Sequence, residues 1–196
     1  MEKIDRRVQR TNQALQDAFR TLMQETCYRN ITVKKLTETA KVNRKTFYLH
    51  YDSIDDFCNT IVDKASEQFL NIIVDQSLRE NLIKPGYIFD RVFNLFQQSG
   101  DFYKIMTTSS DYNFLSRRVE LKVANGFADA IEKEFGVEHV DAYICANFLI
   151  RNTMLMFRLY DKNKFDFDLC DFRERLIRLN ESGLATFLDL GPRTKK

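Results

Sequence analysis

The residues best suited to chemistry in this sequence lie in one short stretch, residues 41–53, which reads KVNRKTFYLHYDS. Two adjacent cations, Arg44 and Lys45, precede a dense group of aromatic rings. There are four rings in five residues: Phe47, Tyr48, His50 and Tyr51. A buried helix would exclude the cations, and a plain surface helix would not need the rings. The stretch is therefore predicted to face a core on one side and a negatively charged partner on the other.

The charge balance places this stretch in a basic part of the chain. The net charge of all 196 residues is +2, but residues 1–50 hold eleven Lys and Arg against five Asp and Glu, a net of +6. The remainder holds nineteen against twenty-three, a net of −4. A basic N-terminal segment on an acidic body is expected where one end binds a polyanion. Chance clustering of charge on a solvated surface is the alternative.

The composition favours a mostly helical protein that is long enough to bury a core. Only six Gly and two Pro accompany 44% hydrophobic and 30% charged residues, as is typical of compact helical chains. No apolar run approaches the ~20 residues that span a bilayer. The charged N-terminal residues are not followed by the apolar stretch that a secretory signal needs. We expect a cytoplasmic protein with no membrane partner, in which the four separated cysteines stay reduced.

Motifs of catalytic and metal sites are missing from the sequence. It holds no Gly-rich phosphate loop and no histidine beside a plausible nucleophile motif. The four cysteines and two histidines show no spacing that suits metal ligands. We therefore expect no enzymatic activity, no metal site and no cofactor.

Hydrophobic spacing predicts an all-α chain. Thr32 and Asn43 are predicted as helix N-caps, and Ser53 with Asp56 as a capping box. The helices are predicted at residues 4–26, 33–40, 44–50, 53 to about 78, 87–98, 101–108, 111–135, 138–160 and 168–189.

Two short helices joined by a tight turn, with a longer helix before them, make a helix-turn-helix. The second short helix of such a motif enters the DNA major groove by its N-terminal residues. Arg44, Lys45 and Thr46 are placed there to reach base edges and phosphates. Phe47 is predicted to join a small core with Phe19, Leu36 and Val42. Tyr48 and His50 each carry a polar tip that can donate to a phosphate oxygen.

The stretch from residue 31 to residue 57, ITVKKLTETAKVNRKTFYLHYDSIDDF, resembles the DNA-binding domain of the tetracycline-repressor (TetR) family of bacterial transcriptional regulators. The matching residues are Ile31-Thr32-Val33, the Ala40-x-Val42 turn, Thr46-Phe47-Tyr48, His50-Tyr51 and Ser53. The resemblance covers about the first 60 residues. Beyond them it is limited to an all-helical body of the right length.

This resemblance implies a homodimer that binds a palindromic operator in double-stranded DNA, usually as a repressor. A small-molecule effector in the helical body would then release the DNA. Thr32, Tyr48 and His50 would contact phosphates, whereas Arg44, Lys45 and Thr46 would read bases or flank them. The implied domains are a three-helix DNA-binding domain over 1–52, a helical ligand-binding and dimerisation domain over 53–190, and a flexible tail over 191–196.

Two positions depart from the family pattern. Lys41 stands where members often have glycine, and a non-Gly residue at positive φ costs on the order of 1 kcal/mol. Ile54 stands where many members have a lysine that contacts phosphate. Lys34, Lys35 or Lys45 would then have to supply the missing positive charge.

Apolar residues on the last two helices predict a helix–helix seam. The seam is either an intrachain core or the dimer interface that the resemblance implies. Gly183, in mid-helix, costs about 1 kcal/mol relative to alanine, which a close partner backbone would explain. The predicted interface comprises Tyr143, Ile150, Met154, Phe157, Phe172, Leu176, Leu179, Gly183 and Phe187.

A second group of residues in the body is predicted to line an effector pocket, with a plain core as the alternative. Asn147 and Arg151 lie one turn apart on an apolar helix, where a buried arginine needs an anionic partner. That partner is an Asp or Glu from another helix or an acidic ligand. The predicted pocket residues are Phe93, Phe96, Tyr103, Met106, Phe127, Asn147 and Arg151.

A second hypothesis for the function keeps the DNA binding and drops the switch. The protein would then be an architectural or partner-dependent helical protein without a small-molecule effector. Such a protein would have a filled body core, and no small molecule would loosen its hold on DNA.

Overall fold

A computed structural model describes residues 6–75, 77–161 and 168–187 of the chain. Across these ranges the chain forms α-helices, one short 3-10 helix at Tyr28–Asn30 and no strand, so the predicted all-α fold is confirmed. The α-helices are α1 (Arg6–Glu25), α2 (Val33–Ala40), α3 (Arg44–Tyr48), α4 (Ile54–Val74), α5 (Leu78–Ile83), α6 (Tyr87–Gln98), α7 (Asp101–Thr108), α8 (Asn113–Phe135), α9 (His139–Asp161) and α10 (Leu169–Phe187).

The helices form two compact units. The first unit holds the described residues up to Lys64 together with Asp101–Ser116, and the second holds Ala65–Gly100 and the described residues from Arg117 onward. Helix α4 contributes to both units. The predicted domain boundary at residues 52 and 53 stays a prediction, and the predicted tail at 191–196 lies outside the described residues.

The core of the first unit is built from aromatic and aliphatic side chains on α1 to α4. Phe19, Leu36 and Phe47 are fully buried, whereas Val42 is only half-buried. The Phe57 ring lies 5.7 Å from Phe19 and 6.3 Å from Phe47, between ring centroids. The prediction that Phe47 turns into a core is confirmed. A buried aromatic side chain of this size anchors α3 against the unit.

The segment 101–116 packs against α1 within the first unit. The Tyr112 hydroxyl donates to the Thr26 carbonyl oxygen at 2.7 Å, and burial raises the pKa of Tyr112 to about 12. The Arg20 guanidinium lies 5.0 Å from the centroid of the Phe102 ring. Since these residues are some 80 positions apart, sequence spacing alone gave no sign of the contact.

The second unit has a core of stacked phenylalanines. The Phe157 ring lies parallel to Phe96, with centroids 4.9 Å apart, and 5.6 Å from Phe89. Beside these rings Arg173 donates to Asp90 through two nitrogens, Nε to Oδ1 at 2.5 Å and Nη2 to Oδ2 at 2.7 Å. Such bidentate pairs fix geometry as well as adding energy, so α6 and α10 are held in register.

Helix α5 is absent from the sequence prediction, which ran the preceding helix to about residue 78. Helix α4 ends at Val74, and the Asn81 side chain donates to the carbonyl oxygens of Ile73 and Asp75 at 3.1 and 2.6 Å. The Ser77 hydroxyl caps α5 by accepting from the Glu80 N–H at 3.4 Å. Ser77 followed by Glu80 is a capping signature, and it was the signal available in the sequence.

In the ranges that the structure describes, no helix combines the length and apolar character needed to cross a membrane.

Candidate nucleic-acid interface

Helix α2 begins and ends as its sequence demands. The Thr32 hydroxyl oxygen accepts from the Lys35 N–H at 3.2 Å, which confirms the predicted N-cap. That hydroxyl keeps its own O–H donor for another acceptor. The helix ends at Lys41, whose φ of 55° and ψ of 37° are left-handed. The expected positive φ is confirmed, and no glycine relieves its cost.

Helix α3 starts from the predicted cap and points its fourth residue, Phe47, inward. The Asn43 carboxamide oxygen accepts from the Lys45 N–H at 2.8 Å. Helical hydrogen bonds continue one residue past the end of the helix, since the Leu49 N–H donates to the Lys45 carbonyl at 3.2 Å. Buried Phe47 sets the rotation of α3 about its own axis. Tyr48, the next residue, is exposed, and Thr46, the preceding residue, is half-buried.

Four of the five predicted DNA-contacting residues in α3 and just after it are exposed. Arg44, Lys45, Tyr48 and His50 are exposed, and Tyr48 keeps 47% of its surface accessible. The Arg44 Nη2 donates to the Tyr48 hydroxyl at 3.2 Å, and its guanidinium lies 5.5 Å from the Tyr48 ring centroid. Thr46 is half-buried. A guanidinium already aligned on a neighbouring ring has less side-chain freedom to lose when it binds a ligand.

Leu49 also belongs to this surface, and sequence reasoning missed it. Its side chain is 79% exposed, although leucine is usually found inside. We call the residues Arg44, Lys45, Tyr48 and Leu49 the α3 surface. The signal in the sequence was the spacing, because Leu49 follows Lys45 by one helical turn and Phe47 by two residues.

Of the remaining predicted contacts, Thr32 and Lys34 are exposed at α2 and Lys35 is half-buried. The Lys34 ammonium lies 4.0 Å from the Glu38 carboxylate, an exposed pair that contributes little to stability. Lys34 can therefore exchange this partner for a phosphate at small cost. Ile54 is half-buried and offers no charge, as the departure from the family pattern predicted.

The start of α4 is fixed by two local hydrogen bonds. The Ser53 hydroxyl accepts from the Asp56 N–H, and the Asp56 carboxylate accepts from the Asp52 N–H, both at 3.0 Å. The predicted capping role of Ser53 is confirmed. The reciprocal bond goes to Asp52 rather than to Ser53 itself. The first turn of α4 also holds Asp55, whose carboxylate accepts from the Tyr28 hydroxyl at 2.5 Å.

The predicted pocket residues are divided between the two units. Tyr103 and Met106 are buried in the first unit, where burial raises the pKa of Tyr103 to about 12. Phe127 is buried in the second unit, where Phe93 and Phe96 are half-buried in the phenylalanine stack. The pocket itself stays a prediction.

The expectation of a buried Arg151 is wrong. Arg151 is exposed, and its Nε donates to the half-buried Asn147 at 3.3 Å. Within the described ranges no carboxylate pairs with it, and the described residues leave its side chain exposed. A partly buried pair lies two turns further on, where half-buried Arg158 donates to buried Glu120 of α8.

The predicted interface residues fall into two groups. Phe157, Phe172 and Leu176 are buried inside the second unit, which favours the intrachain-core alternative for these three; the dimer interface itself stays a prediction. Exposed or half-buried are Tyr143, Ile150, Met154, Leu179 and Gly183. The side chain of Phe187 lies outside the described part.

Helix α9 also carries a row of exposed apolar side chains, which we call the α9 apolar face: Val140, Ile144, Phe148 and Leu155. At 3.6 residues per turn this face is centred about 100° around the helix from the predicted seam. Because α9 is apolar on both sides, the sequence pattern could not fix which side turns inward.

Comparison with known proteins agrees with this geometry. The uncharacterised HTH-type transcriptional regulator YxbF of Bacillus subtilis is 34% identical over 71 residues, which are 36% of this chain and 19% of YxbF. The HTH-type dhaKLM operon transcriptional activator DhaS of Lactococcus lactis is 30% identical over 61 residues, 31% of this chain and 33% of DhaS. The match thus spans a fifth to a third of these relatives. No family model matches the chain.

Solved structures extend the similarity to most of the chain. A transcriptional regulator (TerR/AcrR family) from Aquifex aeolicus VF5 superposes with a TM-score of 0.56, covering 90% of this chain and 98% of that protein at 17% identity. The TetR family repressor AlkX from Dietzia superposes with a TM-score of 0.50, covering 90% and 96%, also at 17% identity. The chain has the TetR-family fold. The resemblance predicted from residues 31–57 is confirmed at the level of that fold.

The TetR-family fold gives the α3 surface its context. Helices α2 and α3 are the two short helices of a helix-turn-helix, and α1 is the longer helix before them. In such motifs the second helix meets the major groove. The cations and the tyrosine hydroxyl of the α3 surface can donate hydrogen bonds to phosphate oxygens and to acceptor atoms on base edges.

Proposed function

We propose that the protein is a sequence-specific transcriptional regulator that binds a palindromic operator in double-stranded DNA as a homodimer and acts as a repressor. The observation that carries the proposal is the α3 surface. Arg44, Lys45 and Tyr48 are exposed on a helix that is anchored by fully buried Phe47. An anchored helix that exposes two cations and a hydroxyl suits a groove flanked by phosphates and lined with hydrogen-bonding base edges.

Each residue of the interface has a role that follows from its chemistry. Arg44 and Lys45 read base edges or flank them, because guanidinium and ammonium groups pair best with the O6 and N7 acceptors of guanine. Thr46, half-buried beside them, flanks the bases. Tyr48, His50 and Thr32 donate to phosphate oxygens and hold α3 in register. Lys34 adds a phosphate contact that replaces the lysine missing at Ile54.

Dimerisation through α9 and α10 supplies the second half-site. The α9 apolar face leaves four large side chains accessible, and Leu179 is exposed on α10. A two-fold symmetric pair would bury this surface, as isologous interfaces do. Two helix-turn-helix motifs would then meet half-sites about one helical turn of DNA apart, or a multiple of that distance.

In this proposal the protein binds genomic DNA in the cytoplasm, and a small-molecule effector releases it from the DNA. The effector rests on the family resemblance, with the half-buried rings of Phe93 and Phe96 as the surface that an apolar molecule would meet. Catalysis has no part in this function.

The test is capture of sheared genomic DNA from the source organism by the purified protein at near-physiological salt, followed by sequencing of the retained fragments. Enrichment of a few fragments that share a palindrome is the expected result. An Arg44→Ala/Lys45→Ala double variant should retain none of them, whereas Lys133→Ala, an exposed lysine on α8, should retain the same set. Uniform retention of all fragments that vanishes as salt rises would overturn the proposal, since that is binding to phosphates alone.

A further inference from the structure

Leu49 is the most exposed large apolar side chain in the described part of the chain, at 79%. It differs from the residues of the α9 apolar face in its neighbours, because each of those residues has other apolar side chains near it on the helix. Around Leu49 the exposed residues of α3 and of the turn before it are cationic or polar, among them Lys41, Arg44 and Lys45. Positive charge around an apolar side chain favours a polyanionic partner that also presents an apolar group.

The backbone places Leu49 on the outermost line of the helix. Its φ of −76° and ψ of −16° are helical, and its N–H donates to the Lys45 carbonyl. With 3.6 residues per turn, Lys45 and Leu49 each lie about 160° around the axis from Phe47. Since Phe47 is fully buried, the line from Lys45 to Leu49 points directly away from the core.

The major groove offers one apolar group that an exposed leucine can contact. The base edges there present hydrogen-bond donors and acceptors, and the only apolar group among them is the C5 methyl of thymine. We propose that Leu49 contacts a thymine methyl in each half-site and thereby selects thymine at that position. This inference rests on the proposed function, because it assumes that α3 lies in the major groove.

The proposal is tested by removing the methyl without changing the base pairing. Deoxyuridine pairs with adenine as thymidine does and lacks only the C5 methyl. Duplexes that the protein selects from a random-sequence library provide the probe, and each thymine of a half-site is replaced by deoxyuridine in turn. One position per half-site should weaken binding by about three- to five-fold, which corresponds to one buried methyl group.

Leu49→Ala is the matched variant. Its fold should be unchanged, because the side chain that it removes is mostly in solvent, and its melting temperature should equal that of the native chain. It should bind the thymidine duplex more weakly and lose the distinction between thymidine and deoxyuridine at that one position. The two changes should therefore be non-additive, as they are for groups in direct contact. Leu121→Ala, which truncates an exposed leucine on α8, should keep the full distinction.

Two results would overturn the inference, and they differ from each other. In the first result the protein selects specific duplexes, but their affinity does not change with deoxyuridine at any position, or changes equally in Leu49→Ala. That result would refute the contact with thymine and leave the proposed function standing. That result would also follow if Leu49 were covered by another protein. Failure to select any sequence would overturn the proposed function, and the inference with it.

Discussion

The α3 surface and the α9 apolar face are both exposed, and they differ in what surrounds their apolar atoms. On α3 the cations Arg44 and Lys45 frame a single leucine, whereas on α9 a single cation, Arg151, lies among Val140, Ile144 and other apolar side chains. Exposed apolar side chains alone do not identify a partner. The surrounding charge does: two cations around one leucine match a polyanion, and a mainly apolar row with one cation matches a surface like itself.

The two surfaces also differ in how they are held. Helix α3 has five residues and is held by the buried side chain of Phe47. The side chains of Thr32 and Asn43 cap α2 and α3. Helix α9 is 23 residues long and is fixed by Phe157 and by the pair of Arg158 with Glu120. A short helix held by one anchor gives a precise local surface, and a long helix gives an extended one. This difference suits base reading and dimerisation respectively.

Disruption of the α9 apolar face should have the largest effect. Phe148, 58% exposed, is replaced by aspartate, which places an unpaired charge in the proposed dimer interface. We expect a monomer by sedimentation and an operator affinity lowered by at least about a hundredfold, because one half-site contributes only part of the binding free energy. Sedimentation velocity and fluorescence anisotropy measure the two quantities.

Leu121→Asp is the matched control for that change, since Leu121 is 46% exposed on α8 and away from the α9 apolar face in sequence. It should stay dimeric and bind DNA as the native chain does. A Phe148→Asp protein that remained a dimer with native affinity would show that the second copy docks elsewhere.

The next effect is expected on the α3 surface, from Lys45→Ala. If Lys45 reads a base, affinity should fall about ten- to a hundredfold and specificity should relax at one operator position. Dimerisation should be untouched, which separates this surface from α9. Competition binding against operators changed at each position measures both properties, with Lys133→Ala as the control. A loss of affinity spread evenly over all sequences, with a salt slope lower by about one, would reassign Lys45 to a phosphate.

The sequence predicted the first three helices of the first unit well because their signals are local. Thr32 and Asn43 cap the helices that they precede, and Phe47 turns inward because its neighbours are charged or polar. Caps, turns and short amphipathic helices depend on residues a few positions apart. The left-handed Lys41 was expected from the family resemblance, because members often have glycine at that position.

The second unit was harder to predict because its decisive contacts join distant residues. The pairing of Arg158 with Glu120 spans 38 positions, and that of Arg173 with Asp90 spans 83. Periodicity cannot supply such partners, and on a helix that is apolar on two sides it cannot fix the inward face either. For this reason Arg151 was expected to be buried, although it is exposed. Helix α5 was missed because the hydrophobic spacing of α4 was extended past the capping residue Ser77.

Gly183 offers a smaller and more selective test of the α9–α10 surface. Apart from its two chain neighbours and the backbone of its own helix, no described atom lies within 4 Å of a Cβ added at Gly183. Gly183→Leu should therefore stabilise the single helix by up to about 1 kcal/mol. If a partner backbone passes close by, the dimer dissociation constant should rise about tenfold. Gly126→Ala is the contrasting variant, because its Cβ would lie 2.8 Å from Leu70 of the same chain and should lower thermal stability without affecting dimerisation.

Tyr48→Phe should produce the smallest change and tests the division of roles within the α3 surface. It removes the hydroxyl that accepts from Arg44 and leaves the ring against Phe47, 5.5 Å away between centroids. Loss of one phosphate hydrogen bond should lower affinity by about two- to tenfold, equally on every operator variant. Tyr87→Phe, which removes the hydroxyl of a half-buried tyrosine on α6, should leave the DNA affinity unchanged. A shift in sequence preference would mean that the hydroxyl acts by orienting the Arg44 guanidinium toward a base. In that case the α3 surface reads DNA through a coupled pair of side chains rather than through independent contacts.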